Sequence, residues 1–145
     1  MAATNLAALP ATGRLSVLTY NVKGLPWPIA SGRQPALAEI GDTLAKLRAQ
    51  GQAPHVVVLQ EAFTPEARAI AQRAGYRFAA YGPGSDAIQP LDGKTRNRDM
   101  LKGEGFGPML PSGLVMMSDY KISGVRSTPF PAGACAGFDC LANKG

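Results

Sequence analysis

Residues 55–63 read HVVVLQEAF and predict the strand around which the fold is built. The four consecutive apolar residues from Val56 to Leu59 are typical of a strand that is buried on both faces. The run ends abruptly in Gln60 and Glu61. Because burial of an unpaired carboxylate is costly, Glu61 is expected to reach solvent or to face a cation. Ligands of open α/β sheets bind outside the carboxyl ends of the strands, where Glu61 would lie.

The residues that precede this strand predict a strand–helix–strand unit. Residues 15–20, LSVLTY, form a first strand candidate that leads into Asn21. Residues 34–50 carry leucine and isoleucine at helical spacing, and Gly51 is a natural stop. A helical crossover between two strands makes them parallel, so their carboxyl ends share one edge of the sheet. We therefore expect the side chains of Asn21 and Glu61 to converge.

Further elements are predicted after Glu61. The sequence Thr64-Pro65-Glu66 combines a hydroxyl cap, a proline and an acid, which favours the start of a helix. The remaining predictions are a helix end at Gly75, a strand at 76–81, a long exposed excursion at 82–112, and a hairpin with strands at 113–117 and 122–128.

The amino-terminal segments carry two further expectations. Residues 1–14 predict a flexible leader without an intact signal peptide, and no apolar run approaches the roughly 18 residues that span a membrane. Trp27 lies between two prolines in the loop 23–28, KGLPWP. We expect Trp27 to close the end of the core, and the alternative is that it contacts a substrate or a membrane.

The composition indicates a globular protein but does not indicate whether the protein is cytosolic or secreted. The chain of 145 residues is 46% hydrophobic and 17% charged, which is typical of a globular domain. Its net charge of +5 suits an anionic partner, such as a phosphodiester or an anionic lipid surface, or serves only solvation. Cys135 and Cys140 form a disulfide if the protein is secreted, or remain two free thiols if it is cytosolic. Localisation and oligomeric state stay open.

Asn21 and Glu61 are the candidate metal ligands. A carboxylate beside an amide carbonyl suits Mg²⁺, which prefers oxygen ligands. The alternative is that Asn21 caps a turn and Glu61 pairs with an arginine. His55 is the only histidine, and it precedes Glu61 by six residues, or about 20 Å along a strand. We expect His55 to be half-exposed at the start of the strand and unable to act at the same site.

Several stretches resemble a known family. LTYNVKGLP at 18–26, VVVLQEAF at 56–63 and SGLVMMSDYKI at 112–122 are similar to the opening motifs of the endonuclease/exonuclease/phosphatase superfamily. This group includes deoxyribonuclease I, abasic-site endonucleases, inositol phosphatases and neutral sphingomyelinases. The closing DCLANKG at 139–145 is similar to bacterial members of the sphingomyelinase type.

The resemblance implies an α/β fold in which a two-sheet β-sandwich is flanked by helices. Residues 15–145 would form the amino-terminal part of one such domain, with Glu61 as the Mg²⁺ ligand and Asn21 holding the metal or the scissile phosphate. Both residues would then be catalytic. The implied activity is hydrolysis of a phosphodiester that depends on Mg²⁺ or another divalent cation, with sphingomyelin or another phospholipid as substrate. A DNA endonuclease or exonuclease of the same superfamily and a non-catalytic α/β fragment or binding module are the alternatives.

The chain also departs from the family pattern. The family continues with a Thr-His strand, an Asp-x-Asn motif and a terminal Asp-His pair, and this sequence contains none of them after the Gln-Glu motif. The resemblance therefore implies that the general base is missing. We expect these 145 residues alone not to hydrolyse phosphodiesters at an enzymatic rate.

Overall fold

The structure is a computed structural model that describes residues 13–91 and 98–145. The predicted leader at 1–14 lies almost wholly outside the described residues. The chain divides into two compact units, each of which is described by itself. Of the described residues, the first unit contains 13–80 and 115–125, and the second contains 81–91, 98–114 and 126–145.

The described residues form a four-stranded mixed sheet and three helices, where the sequence predicts five strands and two helices. The elements are β1 (Val17–Gly24), α1 (Gln34–Ala49), β2 (Val56–Ala62), α2 (Pro65–Arg68), α3 (Ile70–Arg73), β3 (Phe78–Tyr81) and β4 (Val115–Ser118). The strand order is β1-β2-β4-β3, in which β1 is parallel to β2 and β4 is antiparallel to β2. The predicted parallel pair joined by a helix is confirmed. The described residues form this one sheet, so a two-sheet sandwich is not confirmed.

The helices begin and end where the sequence predicts, with one interruption. Helix α1 has proline in its first turn and is followed by Gly51, whose φ of +69° is accessible to glycine at little cost. The hydroxyl of Thr64 accepts a hydrogen bond from the amide of Ala67 at 3.3 Å and caps α2. The single helix predicted at 64–75 is wrong in detail, because the segment is divided at Ala69 into α2 and α3.

One face of the sheet packs against the helices and forms the core of the first unit. The fully buried side chains of this core are Val22, Leu37, Val57, Leu59, Ile70, Val115 and Met117. Burial of each such side chain contributes about 1.5–3 kcal/mol. Strand β1 lies at the edge, and its Leu18 and Tyr20 line a groove of about 550 Å³ beside α1. Both side chains keep more than a third of their surface exposed.

The predicted strand at 122–128 is wrong. The structure has no strand there, and seven of the eight residues from Lys121 to Thr128 are exposed. Gly124 adopts a φ of +65°, which interrupts an extended run. Because the apolar residues of this segment are not buried against another element, a strand there would gain no stabilisation from packing. The partner strand predicted at 113–117 is present as β4, shifted towards the carboxyl terminus.

The described residues of the second unit form turns, two short 3₁₀ helices, an isolated β-bridge and a disulfide. The 3₁₀ helices span Met100–Lys102 and Gly137–Leu141, and the disulfide joins Cys135 to Cys140. The carboxylate of Glu104 accepts hydrogen bonds from the amides of Asp99 at 2.8 Å and Gly137 at 2.6 Å. These two bonds hold the pKa of Glu104 below its usual value. Glu104 therefore ties the loop after Arg98 to the disulfide loop. As expected, the described residues of the excursion 82–112 form no α-helix and no extended strand, only turns, one short 3₁₀ helix and an isolated β-bridge.

Candidate metal centre

Asn21 and Glu61 meet at the carboxyl edge of the two parallel strands. The side-chain amide of Asn21 donates a hydrogen bond to Oε1 of Glu61 at 2.8 Å. The amide oxygen of Asn21 accepts from the backbone N–H of Lys23 at 2.9 Å, which fixes the direction of the amide. The predicted proximity of the two side chains is confirmed, and their role in metal binding stays a prediction.

A bulge in β1 lies at this meeting point. Asn21 is opposite Gln60 and Gly24 is opposite Ala62, so two residues of β1 lie across from Glu61 alone. Bulges of this kind bend the strand and redirect side chains, and they are frequent beside active sites. Asn21 keeps its place opposite Gln60, and the bulge begins directly after it, beside Glu61.

The backbone at the bulge is strained. Glu61 has a φ of +56° and Lys23 a φ of +51°, and these are the two described residues other than glycine with positive φ. The left-handed conformation costs about 1–2 kcal/mol for such residues and persists where the surroundings enforce it. Strain on both neighbouring strands at one edge is typical of a functional site.

Gly24, the last residue of β1, packs closely against β2 and α2. A Cβ at this position would lie 2.7 Å from Cβ of Ala67 and 2.9 Å from the carbonyl oxygen of Glu61. Only glycine therefore lets β1, β2 and α2 approach so closely. The carbonyl of Gly24 also accepts from the amide of Thr64 at 3.2 Å, which joins the start of α2 to the strand end.

Arg33 hydrogen-bonds to the backbone of the bulge. Its guanidinium donates to the carbonyls of Val22 at 2.9 Å and Lys23 at 3.3 Å. Arg33 is the residue immediately before α1 and lies on a loop, so no hydrophobic period marks it. Neither this arginine nor the bulge is predicted from the sequence.

The site suits a cation that retains most of its water. Glu61 is half-buried, and within the described part of the chain Asn21 is the one side chain that hydrogen-bonds to its carboxylate. No group of three or more His, Cys, Asp or Glu residues among 13–91 and 98–145 is arranged to hold a metal. Mg²⁺ is commonly bound by one or two carboxylates and several waters, so the residues present fit Mg²⁺ and not a site with only protein ligands.

His55 lies at the opposite end of β2 and is half-exposed, as predicted. Its Nδ1 accepts a hydrogen bond from the amide of Ser16 at 3.0 Å. The Ser16 hydroxyl lies 2.7 Å from Nδ1 and accepts from the amide of His55 at 3.1 Å. These contacts join the starts of β1 and β2, which is a structural role remote from Glu61.

A network of polar and aromatic groups surrounds that end of the sheet. Arg48 pairs with Asp119 at 2.5 Å and stacks over the ring of Tyr76 at 4.5 Å. The hydroxyl of Tyr76 donates to the carbonyl of Pro54 at 2.6 Å, and burial raises the pKa of this phenol. A shallow cavity of about 330 Å³ opens beside Arg48, His55 and Asp119.

Trp27 is not part of the core, so that expectation is wrong. The side chain is 81% exposed, and Ile29 in the same loop is 58% exposed. The amides of Ile29 and Ala30 donate to the carbonyl of Pro26 at 3.0 and 3.2 Å, so the loop turns back on itself and leaves the indole outside. The loop follows Gly24 directly and therefore lies at the same edge of the sheet as Glu61.

Comparison with known proteins bears on the fold. No protein-family model and no curated protein matches the sequence. Structures of beta toxin from Staphylococcus aureus match most of it. The chain shares its fold with beta toxin. A β-hairpin deletion mutant of the toxin aligns with a TM-score of 0.59 and 19% identity, covering 91% of this chain and 44% of the toxin chain.

Two other beta toxin structures give the same result. A double mutant with bound magnesium ions has a TM-score of 0.57 and 17% identity, and covers 90% of this chain and 42% of that one. A third toxin structure has a TM-score of 0.56 at 18% identity, covering 91% and 43%. The chain thus spans less than half the length of the toxin. At these identities the comparison shows the fold alone.

Proposed function

We propose that the chain carries the metal-binding part of a Mg²⁺-dependent phosphodiester hydrolase. The observation that carries this proposal is the 2.8 Å hydrogen bond between Asn21 and Glu61 at the carboxyl edge of two parallel strands. Such edges are where ligands of α/β sheets bind. The presence of magnesium ions in one beta toxin structure of the same fold supports the choice of metal.

Each residue of the site has a distinct task in this proposal. Glu61 holds the cation through its carboxylate. Asn21 donates to Oε1 and so orients the carboxylate, and the Lys23 amide in turn fixes the orientation of Asn21. When bound, Mg²⁺ supplies polarisation of a phosphoryl oxygen and stabilises charge on the leaving oxygen.

The proposed substrate is a phospholipid headgroup, of sphingomyelin in particular. The loop of Trp27 and Ile29 supports this choice, because it exposes an aromatic and an aliphatic side chain at the same edge as Glu61. Tryptophan is favoured where apolar and aqueous phases meet. The similarity of residues 139–145 to bacterial members of the sphingomyelinase type points the same way.

Water activation is assigned to no described residue of this chain. A general base must lie within hydrogen-bond reach of the attacking oxygen. His55 is bonded to Ser16 at the other end of β2, about 20 Å from Glu61. We therefore expect residues 1–145 alone to bind Mg²⁺ weakly and to show no enzymatic turnover of phosphodiesters.

A Mg²⁺ titration followed by calorimetry or by amide NMR tests the metal centre. We expect Glu61→Gln to abolish saturable binding and to retain the circular dichroism spectrum of the native protein. Glu39→Gln is the matched control, because Glu39 is an exposed acid on α1 whose loss changes the net charge equally. Equal Mg²⁺ binding by the Glu61→Gln variant and the native protein would contradict the proposal.

Parallel hydrolysis assays on sphingomyelin vesicles and plasmid DNA test the substrate. The net charge of +5 favours a nuclease as the second candidate, since phosphate contacts to basic groups dominate nucleic-acid binding. DNA nicking without lipid hydrolysis would select the nuclease. Turnover by residues 1–145 that is lost in Glu61→Gln would show that this chain contains a complete site.

A further inference from the structure

Lys23 occupies an unusual place beside the candidate metal ligand. The bulge of β1 puts Lys23, together with buried Val22, across from Glu61 on the neighbouring strand. Adjacent strands are about 4.8 Å apart, so the backbone of a cationic residue directly neighbours that of the acid. Val22 enters the core, and Lys23 remains exposed to solvent.

Three contacts hold the backbone of Lys23 in its left-handed conformation. Its N–H donates to Asn21 at 2.9 Å, and its carbonyl accepts from Arg33 at 3.3 Å. Arg33 also binds the preceding carbonyl at 2.9 Å. A lysine is costlier at φ of +51° than glycine or asparagine, which tolerate this region. The hydrogen bonds of the site therefore fix the backbone from which the Lys23 side chain extends. Glycine or asparagine would adopt this backbone conformation at lower cost than lysine.

The ammonium group of Lys23 is not neutralised by the nearby acid. None of the carboxylates in the described part of the chain forms an ion pair with Lys23. The hydrogen-bond partner of the Glu61 carboxylate is Asn21. A cation and an acid thus stand on neighbouring strands, each available to a third group.

We propose that Lys23 binds a non-bridging oxygen of the phosphodiester whose hydrolysis is assigned to this site. The inference rests on the proposed function and adds a substrate-binding residue to it. A phosphodiester carries one negative charge shared between two non-bridging oxygens. A lysine ammonium is a compact cation with three donors that suits such an oxygen. Bound between Lys23 and a metal on Glu61, the substrate would be oriented from two sides.

Binding of small diesters to the purified chain tests the assignment. Amide and lysine side-chain NMR follows titrations with glycerophosphocholine, a lipid-derived diester, and thymidylyl-thymidine, a nucleic-acid diester, each at saturating Mg²⁺. We expect Lys23→Asn to weaken both affinities about five-fold, the value of one charge pair at about 4 Å in water. Asparagine keeps the left-handed backbone, and Lys23→Arg, which keeps the charge, should retain affinity within about two-fold.

Lys46→Gln is the control for net charge, because Lys46 is exposed in the last turn of α1. It should bind both diesters like the native protein. An equal loss in Lys46→Gln and Lys23→Asn would overturn the assignment, as would native affinity in Lys23→Asn or the absence of diester binding. A Mg²⁺ titration of Lys23→Asn separates the two proposals. If Mg²⁺ binding persists in Lys23→Asn and is lost in Glu61→Gln, the proposed metal centre is supported. That result holds even if the diester titrations overturn the role of Lys23.

Discussion

Replacing Gly24 by alanine tests how closely the two strands and α2 approach at the site. The new Cβ would lie 2.7 Å from Ala67 Cβ and 2.9 Å from the Glu61 carbonyl oxygen. Carbon atoms prefer about 3.5–4.0 Å, so β1 must move by roughly 0.8 Å or more. Overpacking of this kind costs about 1–3 kcal/mol. At an m-value of about 2 kcal/mol/M, the urea midpoint should fall by about 0.5–1.5 M.

The same movement separates the two strands that carry Asn21 and Glu61. We therefore expect Gly24→Ala to lower Mg²⁺ affinity about ten-fold, as is usual when a group that orients a ligand is displaced. Urea unfolding followed by circular dichroism and a Mg²⁺ titration measure the two effects on one sample.

Gly51→Ala is the control for the loss of stability. Gly51 has a φ of +69°, and a Cβ there meets no atom within 4 Å. Its replacement should cost about 1 kcal/mol through backbone strain alone and leave Mg²⁺ binding unchanged. The reasoning is refuted if Gly24→Ala unfolds within about 0.5 kcal/mol of the native protein, which is the range of neutral surface changes.

Three further outcomes are expected. Tyr76→Phe should lower the free energy of unfolding by about 1–1.5 kcal/mol in urea, because the Pro54 carbonyl loses its partner; an unchanged midpoint would contradict the 2.6 Å hydrogen bond. Glu104, whose pKa is lowered by two backbone amides, should stabilise the protein above its usual value of 4.5 and lose that contribution as pH falls through the lowered pKa. Glu104→Gln should accordingly flatten the acid-side fall of the urea midpoint, and parallel profiles for both proteins would refute this. Trp27→Ala should weaken binding to sphingomyelin vesicles about ten-fold and leave the circular dichroism spectrum unchanged, since the indole is 81% exposed; equal sedimentation with vesicles would exclude the loop from lipid contact.

The sequence predicted the elements whose residues repeat with a clear period. Helix α1 was expected at 34–50 and spans Gln34–Ala49, because its apolar stripe and the glycine after it are local signals. The proximity of Asn21 and Glu61 followed from the parallel order of two strands, which needs only the helix between them. These are consequences of short-range pattern and chain connectivity.

The details that shape the site depend on hydrogen bonds at a strand end and in a loop, which no hydrophobic period marks. The backbone of Lys23 is held by Asn21, two residues earlier, and by Arg33, ten residues later, and neither contact shows in the pattern of apolar residues. Trp27 was expected in the core on hydrophobicity alone, and the turn at Pro26 leaves it outside. The segment 122–128 alternates like a strand but has no surface to bury.

The open edge of the sheet, strand β1, is a surface through which two molecules could associate. Val17 and Leu18 of β1 point to opposite faces, and both keep at least 36% of their surface exposed. From Leu15 to Val22 this edge carries neither lysine nor proline, the residues that usually prevent strands of separate molecules from pairing. We therefore expect the protein to associate through β1 as its concentration rises. Light scattering of each titrated sample would report the concentration at which association begins, and we expect Val17→Lys to raise that concentration.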